Sequence, residues 1–166
     1  MIYVGSLSKT LSPGLRIGYL VGPASFIREA RALRRLMLRH PASNNQRAVA
    51  LFLARGYHDS LIRNLVERYR DRWSALSEAL QRHLPDSAGA PSFGGSSFWV
   101  EGPRRLDTRE LAARAMQAGI LIEPGDVHFL DDPAPRHCFR LGYSSIPVER
   151  IEPGIRKLAQ IIGTMV

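Results

Sequence analysis

Lysine is scarce in this sequence: Lys9 and Lys157 are the two lysines among 23 basic side chains, the rest being arginine. Cysteine is scarcer still, and a single residue, Cys138, excludes an internal disulfide, so the fold owes nothing to an oxidising compartment. Its setting, "HCFRLGY", suits a small buried apolar residue better than a reactive thiol. No apolar run approaches the ~20 residues that a membrane span requires. The opening "MIYVGSLSK" lacks the basic region and long apolar stretch of a secretory signal, and the expected setting is cytoplasmic. The five histidines show no metal-ligand spacing with cysteine or carboxylate neighbours, and no metal is assigned. Low-complexity tracts and internal repeats are also missing.

What remains is the composition of an ordinary soluble domain. The chain has 166 residues, 45% apolar and 23% charged, enough for a sizeable core. Its net charge of +8 raises the question of nucleic acid. Yet Arg28, Arg31, Arg34, Arg35 and Arg39 follow one helical segment and Arg63, Arg68, Arg70 and Arg72 another. Neither is interleaved with aromatics that could stack on bases, so both read as solvated helix faces.

Apolar residues 1–4 suggest the end of a buried strand, and residues 16–21 a second strand. Between them, Ser12-Pro13-Gly14-Leu15 places proline and glycine at the central positions of a type II turn. Pro23 opens a helix whose apolar positions Phe26, Ile27, Ala30, Leu33 and Met37 recur up to the break at His40-Pro41. A second helix covers residues 43–54 and stops at Gly56. A long helix over residues 59–84 carries Leu61, Leu65, Tyr69, Trp73, Leu76 and Leu80 on one stripe. Residues 84–95, "LPDSAGAPSFGG", form a Pro/Gly/Ser-rich break and the expected domain boundary. Beyond it the pattern predicts a strand at 97–101, then a helix over 107–118 with Asp107 and Glu110 in a capping-box arrangement. Short strands at 120–122 and 139–143 and a closing helix over 148–162 follow. That order describes a compact α+β unit.

Chemistry concentrates near the start. Lys9 stands among hydroxyls and glycines, with Arg16 seven residues on. A nucleotide P-loop is one reading, but "GSLSKT" lacks its first glycine and its spacing. The other is a lysine that adds to the aldehyde of a phosphorylated cofactor, because an amine adds reversibly to a carbonyl. Arg16 and the serines would then grip the phosphate. An exposed loop lysine beside a structural arginine is the plain alternative.

The segment "SLSKTLSPGLRIGYLVGP" resembles the surroundings of the cofactor lysine in fold type I pyridoxal-phosphate enzymes, the aspartate-aminotransferase superfamily. It is most similar to the aminotransferase-like half of MocR-type regulators, in which a GntR-family winged-helix domain is fused to such a fold. "GGSSFWVEGP", "GILIEPGDVHF" and "FRLGYSSIPVERIEPGIRKL" continue the resemblance in order along the chain. It implies an α/β fold: residues 1–84 as the last elements of a large cofactor domain plus a linking helix, and residues 85–166 as a small α+β domain. It implies pyridoxal 5′-phosphate held by Lys9 as a Schiff base, with Ser6, Ser8 and Arg16 as phosphate ligands. Arg140, in "FRLGY", matches the arginine that pairs with the α-carboxylate of an amino-acid substrate, a role suited to a forked guanidinium. Lysine and arginine, borne by different domains, would close on one substrate. His128 and the pair Gly94 and Gly95 read as loop residues with structural roles.

The resemblance also implies what should accompany these residues: a second phosphate-binding loop, an aromatic stacked on the ring, an aspartate on the pyridine nitrogen and a tyrosine near the ring hydroxyl. None is found here, so the expectation is a C-terminal piece of a larger protein, inactive by itself. Three functions are consistent with it. One is amino-group transfer between an amino acid and a keto acid. Another is effector sensing in a transcriptional regulator whose DNA contacts lie in a separate N-terminal domain. The third is a module without bound cofactor. A homodimer is implied, and no membrane partner.

Overall fold

Beginning at Tyr3, strand β1 (Tyr3–Ser6) pairs antiparallel with β2 (Gly18–Val21) in a two-stranded ladder, Tyr3 opposite Val21 and Ser6 opposite Gly18. The computed structural model describes residues 1–87, 94–130 and 133–166. Three helices follow, α1 (Ala24–Leu38), α2 (Ser43–Ala54) and the long α3 (Tyr57–His83). The chain divides into two compact units, Met1–Leu65 and Val66–Val166, so α3 contributes to both.

In Met1–Leu65 the local signals work and the packing expectations do not. Pro23 caps α1 from outside, its carbonyl accepting from Ile27 N at 3.0 Å, and the helix stops before His40-Pro41. Gly56, at φ +71°, follows α2 as its stop signal requires. But β1 is exposed at Tyr3 and Val4, β2 is exposed throughout, and α1 buries no residue, its Leu33 and Met37 included. The expected buried strand is largely exposed, and of the α1 stripe Ile27 and Ala30 are half-buried beside Val4 and Tyr19 while Phe26, Leu33 and Met37 face solvent. Val49 is the one buried hydrophobic residue of this unit among the described residues.

Val66–Val166 has a proper core. Strands β3 (Ser97–Glu101), β4 (Glu123–Pro124) and β5 (Cys138–Gly142) form an antiparallel sheet of order β3-β5-β4. Alternation along β5 buries Phe139 and Leu141 against Val100 and Phe98 of β3 and leaves Arg140 outside. On the buried side lie Leu76, Ala79 and Leu80 of α3, Leu111 and Ala115 of α4 (Thr108–Gln117), and Ile151, Ile155, Leu158 and Ile162 of α5 (Val148–Gly163). The spacing of these last four, at every third or fourth residue, is one helix face, and it carries α5 through Pro153. Proline there removes one donor in the second turn, a loss offset by burial of the stripe. At the start of α4, Asp107 accepts from the backbone N–H of Arg109 at 2.9 Å and of Glu110 at 3.3 Å. The reciprocal half of the capping box is not made, since Glu110 pairs with Arg114 instead. Of the Pro/Gly/Ser-rich break, residues 88–93 lie outside the described residues. The compact units part within α3, earlier than that break, because Leu76, Ala79 and Leu80 belong to the core of the second unit.

Candidate functional site

β1 and β2 are joined by residues 7–17, and this loop carries most of the candidate side chains. It is closed at its base by Leu7 N donating to Ile17 O at 3.0 Å, directly beyond the Ser6–Gly18 pair. Within it Leu11 N donates to Leu7 O at 2.9 Å, so Ser8, Lys9 and Thr10 lie inside one helix-like turn. Ser6 Oγ accepts from Ser8 N at 3.3 Å.

The return limb differs from the expected type II turn. Leu15 N does bond back to Ser12 O at 3.2 Å, but Pro13–Leu15 is a 3-10 turn and Gly14 is not at positive φ. The left-handed residue is Arg16, at φ 50° and ψ 42°, and strand β2 begins two residues later than expected. Proline's fixed φ suits the first position of a 3-10 turn, and the reversal needed to enter β2 passes to the next residue after the turn. Asn45 of α2 holds this limb by donating to Leu15 O at 3.3 Å.

The two lysines have different lives. Lys157 donates to Ala118 O at 2.8 Å, at the C-terminal end of α4 where a cation is favoured. The side chains of Lys9 and Arg16 have no hydrogen-bond or ion-pair partner among the described residues, and both are exposed. The Thr10 hydroxyl is buried and likewise unsatisfied there.

Arg140 lies in the second unit. It faces Trp99 of β3 on one side and Glu123 of β4 on the other, one row across the outer face of the sheet. Arg140 Nε donates to Glu123 Oε2 at 2.5 Å, and its Nη2 contacts the same oxygen. The other oxygen of Glu123 is 3.6 Å from His128 Nε2, and the His128 ring stands edge-on to Trp99 at 5.7 Å. Next to this row the Asp126 carboxylate is buried and accepts from Arg109 Nε at 2.6 Å. Cys138 is buried as expected, and burial pushes its thiol up, with the Glu101 charge adding to the effect. Gly94 and Gly95 stand at positive φ, their carbonyls accepting from the buried Tyr143 hydroxyl. That hydroxyl titrates above its ordinary value, chiefly through burial.

Sequence reasoning did not find Glu123. The expected strand ended at residue 122, whereas β4 starts at Glu123, so its pairing with Arg140 was out of sight. The one available signal was a carboxylate directly before Pro-Gly at the end of an otherwise apolar segment.

The sequence matches the family described as "Aminotransferase class I and II" over residues 1–158. The chain belongs to this family. It is 46% identical to the HTH-type transcriptional regulator TauR of Rhodobacter capsulatus, over 98% of this chain and 34% of that one. Among solved structures it is similar to the multiple substrate aminotransferase of Thermococcus profundus, with a TM-score of 0.88 at 29% identity, covering 99% of this chain and 41% of that one. It is also similar to LysN, the alpha-aminoadipate aminotransferase of Thermus thermophilus, complexed with N-(5′-phosphopyridoxyl)-L-leucine. There the TM-score is 0.84 at 30% identity, with coverage of 99% and 42%. The chain thus spans between a third and about two fifths of the length of these relatives. These likenesses establish a fold type I aminotransferase fold over the chain. Among the described residues no helix is long and apolar enough to cross a membrane.

Family membership indicates pyridoxal 5′-phosphate as the cofactor. The donor set of residues 7–17 and its flanks fits two ends of that molecule. A primary amine without a partner among the described residues suits the aldehyde, and a guanidinium borne by a loop that also carries serine hydroxyls suits a phosphate dianion. The fit does not extend to the ring nitrogen. Met1–Leu65 has two carboxylates, Glu29 on α1 and Asp59 on α3, and neither is on this loop.

Proposed function

We propose that this chain supplies the cofactor lysine and the substrate arginine of a pyridoxal-phosphate-dependent aminotransferase. What supports the reading is the loop over residues 7–17, which presents Lys9 and Arg16 with no partner among the described residues on a turn closed by Leu7 and Ile17. When bound, pyridoxal phosphate supplies an electrophilic aldehyde and a ring that accepts electrons. Lys9 would hold the cofactor at its aldehyde end through the ε-nitrogen. As a free amine, the same nitrogen would serve as the base that takes the substrate Cα proton. Arg16 binds the phosphate through its fork, and the Ser6 and Ser8 hydroxyls add one hydrogen bond each. Arg140 pairs with the substrate carboxylate. In this reading residues 1–84 are the end of the cofactor domain with its linking helix, residues 85–166 are the small domain, and the whole protein is a cytoplasmic homodimer.

A second reading uses the same residues without full turnover, as an effector-sensing domain of a DNA-binding regulator. The 46% identity to TauR favours it. Borohydride reduction in the presence of the cofactor, followed by peptide mass spectrometry, tests what both share: the cofactor mass is expected on the peptide containing Lys9 and absent from Lys9→Ala. A modified peptide elsewhere would overturn both. Conversion of an amino acid to its keto acid over many turnovers separates the enzyme from the sensor, for which cofactor attachment without sustained keto-acid release is expected.

A further inference from the structure

Glu123 already occupies the fork that the reading above reserves for a substrate carboxylate. The contact is built by the backbone rather than by two long side chains meeting at a surface. Glu123 and Arg140 are register partners across β4 and β5. The turn that follows, Gly125–His128, is pressed onto β5: a Cβ at Gly125 would stand 2.5 Å from Cys138 O and 2.6 Å from the Trp99 ring. Trp99, held edge-on by His128 and at 5.8 Å by Phe129, walls the row from β3. The Glu123 carboxylate therefore stands where β4 puts it, with one oxygen on Arg140 and the other facing His128.

Both partners remain accessible, with side-chain exposures of 45% for Arg140 and 41% for Glu123. An ion pair so open to solvent is weak, and a solute carboxylate can compete for the guanidinium. A guanidinium fork takes one carboxylate in two-point contact. Glu123 holds the Nε/Nη2 edge, so an incoming acid that takes this edge displaces Glu123, which keeps His128 as its neighbour.

We propose that Glu123 is an internal competitor for Arg140, and that it sets the ligand class of this site to acids with a single anionic group. This rests on the assignment of Arg140 as the carboxylate-binding residue. The displaced charge stays beside the docked acid, so a second anion on the ligand meets repulsion at close range, whereas a ligand with one carboxylate meets only the competition.

The test follows the Arg140 Nε–H resonance by NMR in the ¹⁵N-labelled chain, identified by its loss in Arg140→Lys, at constant ionic strength. Acetate and succinate are the probes, and Glu123→Gln keeps the shape while removing the charge. Without any ligand, the resonance is expected to move on Glu123→Gln. Half-saturation by acetate should then fall about two- to fivefold, equivalent to roughly 0.4–1 kcal/mol. The gain for succinate should be the larger of the two. Equal half-saturation in wild type and Glu123→Gln, or no response of Arg140 to either acid, would overturn the proposal. An equal gain for both acids would overturn the single-anion selectivity. Because none of these measurements uses the cofactor, they fail or succeed independently of borohydride labelling at Lys9. That labelling with no acid response at Arg140 would leave the cofactor assignment standing alone.

Discussion

Arg16 combines a charge that the proposed chemistry needs with a backbone conformation that costs stability. A non-glycine residue held in the left-handed region carries strain of about 1–3 kcal/mol, and its φ of 50° places it there. Glycine would relieve that strain but add about 0.5–1 kcal/mol of unfolded-chain entropy. Arg16→Gly is therefore expected to leave stability unchanged or raise it by up to about 2 kcal/mol in urea unfolding. The same substitution should weaken cofactor phosphate binding at least tenfold, measured by titration with pyridoxal phosphate. If stability collapses with affinity, the arginine is a structural residue. Asp107 offers a second residue-level case. Burial pushes its carboxyl up, but the N–H groups of Glu110 and Arg109 and the Arg136 guanidinium outweigh this and hold it below its ordinary value. A carboxyl depressed in the folded state stabilises fully above its unfolded pKa and loses that contribution as the pH falls through its folded value. Asp107→Ala should cost about 0.5–2 kcal/mol at pH 7. The gap from wild type should narrow once the pH drops below about 3.9. Trp73 and Trp99, the two tryptophans, both lie in Val66–Val166, so fluorescence reports unfolding of the unit that holds this cap.

Elements were legible in proportion to how local their causes are. β3 and α2 begin and end where alternation, periodicity and a stop glycine put them, because those signals lie within each segment. β4 was displaced and Glu123 overlooked because its position is set by pairing with β5, some sixteen residues further on, which no local pattern encodes. Lys9 and Arg16 could be singled out early, being a rare residue and an arginine at a fixed interval. The left-handed backbone at Arg16 could not, since Pro13 and Gly14 by themselves satisfy the pattern of a complete turn. Gly125 shows how a small residue transmits such pairing. Adding a methyl group there must push the Gly125–His128 turn away from Cys138 O and the Trp99 ring, a rearrangement of the kind that costs about 1–3 kcal/mol. Gly125→Ala is thus expected to lower the urea midpoint of the second unit and shift Trp99 emission. It should also release Arg140 from Glu123, seen as movement of the Arg140 Nε–H resonance. An unmoved resonance would mean that the pair does not depend on this turn.

Across the whole molecule, burial and charge are distributed unequally. Met1–Leu65 carries ten basic and two acidic side chains, while Val66–Val166 carries thirteen of each, so the entire net charge belongs to the first unit. The first unit also exposes Val4 (72%), Leu36 (84%) and Met37 (78%), with Val49 its one buried hydrophobic residue among the described residues. The second buries a continuous cluster from Leu76 to Ile162. Local opening free energy follows buried apolar contact, so the two units should differ in protection. Hydrogen exchange read by mass spectrometry is expected to show the amides of β5 and α5 exchanging at least a hundredfold more slowly than those of β1, β2 and α1. Burial of the first unit's apolar surface by self-association would reverse this, and dilution separates the two cases: protection of residues 1–38 that persists at low micromolar concentration would show that the first unit is stable without a core of its own. Protection that fades on dilution would show instead that its exposed strands and helix are completed by another copy, as the unpaired edges of a two-stranded ladder permit.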